Sequence, residues 1–272
     1  MTGAAVSDGF ASIRVGGREQ RIEFGWVGSD APGAPLIVFL HEGLGSLSMW
    51  RDFPARLCEA AGARGLVYSR PGYGRSTPRP HGERWGLDFM HVQAQQVLPA
   101  LLDALGVQSA YWLFGHSDGG SIALIHAASF PRRVAGAVVM APHILVEEFG
   151  LASIREARRA YLEGPLRAGL AKYHADVDSA FWGWNDIWLD GEFPRWTIQP
   201  LLSSIKCPLL AIQGFSDPYG TMAQIDGIAE AAPRTALLKL PDCGHSPHRD
   251  QPEAVIQATR DFIQQHPKET TP

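Results

Sequence analysis

The stretch Tyr111–Phe130, YWLFGHSDGGSIALIHAASF, constrains this 272-residue chain more than any other. It opens on a continuous run of apolar and aromatic side chains, as a strand buried on both faces requires. Over 117–129 the apolar residues follow helical spacing instead. Only a tight turn fits between the two, and Ser117 stands in it, with Gly115 two residues before and Gly119 two residues after. So sharp a turn strains its central residue and brings strand and helix so close that a Cβ at either flank would collide. The hydroxyl is lifted above the carboxyl end of a sheet, beside the free amides of a helix N-terminus. A Gly-rich turn with a helix-capping serine is the alternative, but strand–turn–helix is the context that a nucleophilic serine in G-x-S-x-G needs. With Asp118 as nucleophile instead, His116 would fall where a small residue is required.

Around this segment, strand-like and helix-like patterns alternate, which predicts an α/β fold with a largely parallel sheet. Strands are expected near 10–15, 20–27, 35–40, 65–69, 110–114, 134–141, 207–213 and 235–240, and helices near 47–61, 88–105, 117–129, 221–231 and 252–265. VGGRE joins the first two strands as an antiparallel hairpin, since Gly-Gly tolerates positive φ. The others are expected to be parallel and buried, and Pro99 predicts a kink in the second helix. Between residues 142 and 204 the alternation breaks into helices and aromatic loops holding Trp182, Trp184, Trp188 and Trp196. That segment is the expected lid, with its tryptophans serving either its own packing or substrate contact. The core is expected to comprise residues 1–141 and 205–267, followed by a polar tail at 268–272.

Two further groups end strands at the same side. TALLKL leads into PDCGHSPH, which puts His245 in a loop at a strand's carboxyl end, where open α/β sheets carry their sites. A neutral imidazole there can take a serine proton and return it to a leaving group. His248 competes for this role but lacks a preceding glycine and lies nearer the last helix. PLLAIQGFSDPYGT ends a buried strand on Asp217, which can orient the imidazole, or simply form an Asx-Pro turn. The corresponding position after the sixth strand holds His143, not a carboxylate.

Composition excludes other classes. With 24 Lys and Arg against 28 Asp and Glu, the net charge of −4 gives no attraction for nucleic acid, and the arginines form no basic run. Cys58, Cys207 and Cys243 are too few for a disulfide framework, and no metal site is predicted, because neither Cys nor His pairs have ligand spacing. A reducing cytoplasm is expected, with no secretory signal and no membrane-spanning run. A small-molecule substrate is the expected partner, and nothing sets an oligomeric state.

HEGLGS, SRPGYGRS, GHSDGG, GFSDPYG and DCGHSPHRDQPEAV, in that order, make the chain resemble the α/β-hydrolase superfamily over nearly its whole length. Lidded esterases, thioesterases and carbon–carbon bond hydrolases are nearest, and GHSDGG is similar to the elbow of valacyclovir hydrolase-like enzymes. The resemblance implies an eight-stranded, mostly parallel sheet with helices on both faces and a helical lid after strand six, the same strand count as the pattern above. It implies Ser117, Asp217 and His245 as a triad in the superfamily's chain order, with no cofactor. Oxyanion donors would be the amides of Asp118 and Gly43, with Leu44 as an alternative. Glu42 stands where the family usually has glycine, so its carboxylate either turns outward or borders the pocket. The Asp118 side chain either complements the helix dipole or, as in the similar elbow, meets a substrate α-amino group. Glu42, Asp118, Trp182, Trp184 and Trp188 are therefore candidate substrate contacts. His41 is expected to support the oxyanion loop, and Arg70 and Arg75 to be structural. The activity implied is hydrolysis of a small carboxylic ester or thioester. Carbon–carbon bond hydrolysis of a ring-cleavage dienoate, or a triad-retaining ligand-binding receptor, are the alternatives.

Overall fold

A computed structural model describes residues 7–267, so the tail expected at 268–272 lies outside the described residues. Eight strands form one sheet in the order β1-β2-β4-β3-β5-β6-β7-β8: Ser7–Val15, Arg18–Gly28, Leu36–Leu40, Arg64–Tyr68, Tyr111–His116, Val134–Met140, Leu209–Gly214 and Thr235–Leu240 for β1 to β8. β2 runs antiparallel to β1 and β4, and every other pairing is parallel. Alternate side chains serve opposite faces, as the strand period demands. Val38, Leu40, Leu113 and Val139 pack into one core, and Ile37, Phe39, Phe114 and Val138 into the other. β8 departs from the expectation of burial. It closes the sheet as an edge strand, so Leu237 is 39% exposed.

Helices cover both faces. α1 (Phe53–Ala61) and α11 (Pro252–Gln265) pack on one face, while α2 (Phe89–Val92), α3 (Leu98–Ala104) and α4 (Asp118–Ser129) lie on the other. The helix expected over 47–61 is broken. A 3₁₀ turn, Leu47–Trp50, ends at Arg51 with φ of 55°, which no helix continues, and α1 restarts with Pro54 in its first turn. The kink expected from Pro99 takes the form of a π turn, Gln93–Val97, between α2 and α3. Pro99 has no N–H for the Gln95 carbonyl, and the wider turn makes room for its ring.

Between β6 and β7 the chain leaves the sheet. It forms α5 (Glu148–Glu163), α6 (Leu166–Leu170), α7 (Val177–Trp188) and α8 (Gln199–Leu202), and Leu145 and Thr197 bridge the two ends of the excursion. Asp176 caps α7 by accepting from the Ser179 amide at 2.8 Å. Phe181, Trp184, Trp188, Phe193 and Trp196 join the same apolar cluster as the sheet face below. α9 (Ala223–Ala231) and the short α10 (Pro247–Asp250) complete the framework. Among the described residues, no helix is long and apolar enough to cross a membrane.

Candidate active site

Ser117 sits between β5 and α4 with φ of 54° and ψ of −121°, a conformation L-residues avoid. The surroundings enforce it: the Ser117 amide donates to the Met140 carbonyl at 2.9 Å, and its carbonyl accepts from Gly120 at 2.8 Å. A Cβ on Gly115 would strike the Gly119 backbone, and one on Gly119 the Leu40 and His41 carbonyls. No other residue type fits at either glycine without moving the main chain.

From that elbow the Ser117 hydroxyl stands 2.9 Å from His245 Nε2, and His245 Nδ1 lies 2.8 and 2.9 Å from the two oxygens of Asp217. Asp217 Oδ1 also accepts from the Tyr219 amide at 2.8 Å, and Oδ2 from Gln213 Nε2 at 2.8 Å. Asp217 thus makes the Asx turn and the histidine contact together. Burial alone would raise its pKa, but the His245 ring and the Tyr219 amide outweigh that and hold it below the usual carboxylate value. A carboxylate so held fixes the imidazole with Nδ1 as donor, which leaves the Nε2 lone pair facing the serine. His248 is not part of this chain of contacts. It is buried among Trp50, Phe53 and His116, and burial pushes its pKa down to about 2.

A cavity of about 100 Å³ opens over Ser117 and His245. Glu42, Gly43, Asp118, Trp184 and Trp188 border it, together with His143, Ile154 and Tyr219. Trp182 does not. It lies about 200° around α7 from Trp184, so it faces the opposite side, under Arg158 and beside Tyr161. Trp184 and Trp188 are one turn apart and share the inner face. A Cβ on Gly43 would collide with the Trp184 indole, which accounts for glycine there.

The surroundings of both acidic residues are defined. The Glu42 carboxylate points to Arg249 Nη2 at 3.4 Å and His116 Nδ1 at 3.5 Å, while the residue borders the cavity. Burial would raise its pKa, but His116 and the Arg249 charge outweigh this and hold it well below the ordinary value. Asp118 is fully buried, not a solvated helix-start acid. Its Oδ1 accepts from Trp188 Nε1 at 3.2 Å, while Oδ2 has no hydrogen-bond partner and lies 3.9 Å from the Arg70 guanidinium. Burial, only partly opposed by Arg70 and Trp188, pushes its pKa up to about 6.

Sequence reading left other site residues unassigned. His143, from the segment after β6, packs its ring against Trp188 and 6.1 Å from His245. The Tyr219 ring lies tilted against that of His245, with centroids 4.6 Å apart. His174, inside the insertion, accepts from the Gly74 amide at 2.9 Å and donates to the Leu44 carbonyl at 3.0 Å, tying the insertion to the loop after β3. No spacing pattern marks that last contact. The expected support role of His41 has a counterpart in its Nδ1, which donates to the Glu42 carbonyl at 2.7 Å. Among the described residues, no group of three or more His, Cys, Asp or Glu could hold a metal ion.

A family profile described as the alpha/beta hydrolase fold matches residues 35–173, just over half of the chain. The chain belongs to this family. Among its curated relatives, a 2-hydroxy-6-oxononadienedioate/2-hydroxy-6-oxononatrienedioate hydrolase of Paraburkholderia phymatum is 32% identical over 140 residues, half of this chain and 45% of that one. The human serine hydrolase BPHL is 27% identical over 208 residues, 73% of this chain and 69% of its own. A thermophilic esterase from Thermogutta terrifontis superposes with a TM-score of 0.71 at 22% identity, covering 96% of this chain and all of that one, and so shares the fold.

Proposed function

We propose that the chain is a serine hydrolase that cleaves a small carboxylic ester or thioester through an acyl-Ser117 intermediate. The observation that carries this reading is the unbroken contact chain from the Ser117 hydroxyl through His245 to Asp217, open to a cavity at its serine end. As Oγ adds to the carbonyl carbon, His245 Nε2 takes its proton. Negative charge gathers on the carbonyl oxygen, opposite the Gly43 and Asp118 amides. The ester or thioester bond then breaks, with the leaving alkoxide or thiolate taking the proton from His245. Water repeats the sequence, using the same imidazole as base, and releases the acid. Asp217 stays ionised throughout.

A cavity of about 100 Å³ supports a small acyl group. Benzene occupies a cavity of about 150 Å³. Residues 142–204 serve as a lid over a core of 1–141 and 205–267, with Trp184 and Trp188 as its substrate-facing wall. Glu42 and Asp118 complete the proposed contacts, and a cationic α-amino ester would suit an ionised Asp118. The three cysteines are free and buried, which supports a reducing compartment such as the cytoplasm. The Paraburkholderia relative favours a second reading, carbon–carbon bond hydrolysis of a ring-cleavage dienoate by the same three residues.

The test is labelling by a fluorophosphonate together with turnover of nitrophenyl acetate, a thioester, a cationic ester and a dienoate side by side. Labelling and turnover that vanish in Ser117→Ala are expected, with the small esters or thioester fastest. A wild type that is never labelled, or a Ser117→Ala variant labelled as well as wild type, overturns the proposal.

A further inference from the structure

Arg70 follows β4 and is 1% exposed, an unusual place for a guanidinium. Its Nη2 donates to the Glu42 carbonyl at 2.8 Å, and its backbone N–H to His41 Nε2 at 3.0 Å. Its guanidinium lies over the Tyr73 ring, 4.7 Å from the centroid, and its nearest carboxylate oxygen is Asp118 Oδ2 at 3.9 Å. His41 has no freedom in this arrangement. The Glu42 carbonyl can only accept, so Nδ1 must carry the proton. The Arg70 amide can only donate, so Nε2 must be bare. Burial, followed by the Arg70 charge, drives the His41 pKa well below its ordinary value, in keeping with a neutral ring.

The Glu42 carbonyl oxygen therefore receives three donors: His41 Nδ1 at 2.7 Å, Arg70 Nη2 at 2.8 Å and the Gly45 amide at 3.0 Å. The described peptide bonds are all trans, and in a trans peptide the carbonyl and the following N–H point in opposite directions. Three donors that anchor the Glu42 oxygen on one side thus turn the Gly43 N–H to the other, and Gly43 borders the cavity with Ser117. Leu44 also borders the cavity, but the peptide the guanidinium holds is the one that ends in the Gly43 amide.

We infer that Arg70 is a positioning residue that aims the Gly43 amide at the carbonyl oxygen of the substrate by gripping the Glu42–Gly43 peptide from behind. The inference rests on Ser117 being the nucleophile. Arg70 neither gives nor takes a proton: the serine proton still passes to His245, and Arg70 touches no reacting atom. Its donation polarises the peptide, which makes the amide on the far side a better donor as charge develops. Lysine cannot reproduce this, since a single ammonium replaces a planar fork spanning the carbonyl, His41 and the Tyr73 face.

The experiment compares wild type with Arg70→Gln and Arg70→Lys on nitrophenyl acetate. It also measures affinity for a trifluoromethyl ketone, which adds to the serine and forms an oxyanion, and for the matching methyl ketone, which binds without adding. A fall of about 10- to 100-fold in kcat is expected, with KM and methyl-ketone affinity nearly unchanged and trifluoromethyl-ketone affinity falling in step with kcat. A purely structural role would weaken both ketones alike. A folded variant with wild-type kcat, or equal losses for both ketones, overturns the inference. Should the variants not fold, the Gly43 amide proton of wild type decides: a large downfield shift on adding the trifluoromethyl ketone is expected, and no shift overturns it. Failure of the underlying reading is separately visible, as wild type that no fluorophosphonate labels.

Discussion

Asp217→Asn is the sharpest perturbation of the proposed relay, because the neighbours of Asp217 dictate which way the new amide must turn. Both carboxylate oxygens face donors: Oδ1 the Tyr219 amide at 2.8 Å, Oδ2 the Gln213 Nε2 at 2.8 Å, and both the His245 Nδ1. The Tyr219 amide is main chain and cannot reverse, so the asparagine oxygen must take the Oδ1 position. Its NH₂ then replaces Oδ2 and points a donor at His245. Gln213 can respond by flipping, at the loss of its 3.1 Å bond to the Gly220 carbonyl. His245 relieves the clash between its Nδ1–H and the new NH₂ by moving its proton to Nε2, which turns an N–H toward Ser117, in competition with the 2.9 Å contact from Nδ1 to the amide oxygen at the Oδ1 position. An imidazole in that tautomer cannot take the serine proton. The expected loss in kcat is about 10⁴-fold, or about 5 kcal/mol of barrier, the size found when a triad carboxylate is replaced by its amide. Steady-state turnover of nitrophenyl acetate and the rate of fluorophosphonate labelling should fall together, while thermal unfolding stays cooperative. A folded variant that loses less than about tenfold would refute the tautomer argument.

Three further outcomes follow from the same neighbourhood. Asp118, pushed up to about 6 from 3.8 mainly by burial, is held in its disfavoured charged form above pH 6. Stability should therefore rise as pH falls from about 6 toward 3.8, by up to about 3 kcal/mol, when urea unfolding of wild type is referenced to Asp118→Asn; a pH-independent difference between the two proteins contradicts this. Gly43→Ala should abolish most turnover, because the new methyl meets the Trp184 indole, and Trp184→Ala should restore part of it. Additive losses in that double-mutant cycle would show the clash is not the cause. Trp188→Phe removes the donor to Asp118 Oδ1 and leaves both carboxylate oxygens without a hydrogen bond, so a destabilisation of about 1–3 kcal/mol at neutral pH is expected from denaturant midpoints; unchanged midpoints would count against it.

What the sequence made legible divides along a physical line. Strand periods, the glycines of the elbow and the carboxyl-end positions of Asp217 and His245 are local patterns, and the eight-stranded sheet with its family membership agrees with them. Side-chain direction on a helix is also local. The 100° step per residue separates Trp182 from Trp184 and Trp188, and counting it along FWGWNDIW would have put only two of the three on one face. Contacts between distant segments are different in kind. The Arg70 guanidinium meets the Glu42 carbonyl across 28 residues, Trp188 meets Asp118 across 70, and His174 reaches Leu44 across 130. Each depends on how the sheet order folds loops over one another, which no spacing encodes. The buried state of Asp118 belongs to this second kind. At the first turn of a helix an aspartate is ordinarily solvated. Here the insertion helps to cover it, and that burial raises its pKa and leaves one oxygen without a hydrogen bond, 3.9 Å from the Arg70 guanidinium and beside the cavity over Ser117. The chemistry of the elbow is therefore local, while its electrostatics are imposed by distant segments, Trp188 after β6 and Arg70 after β4.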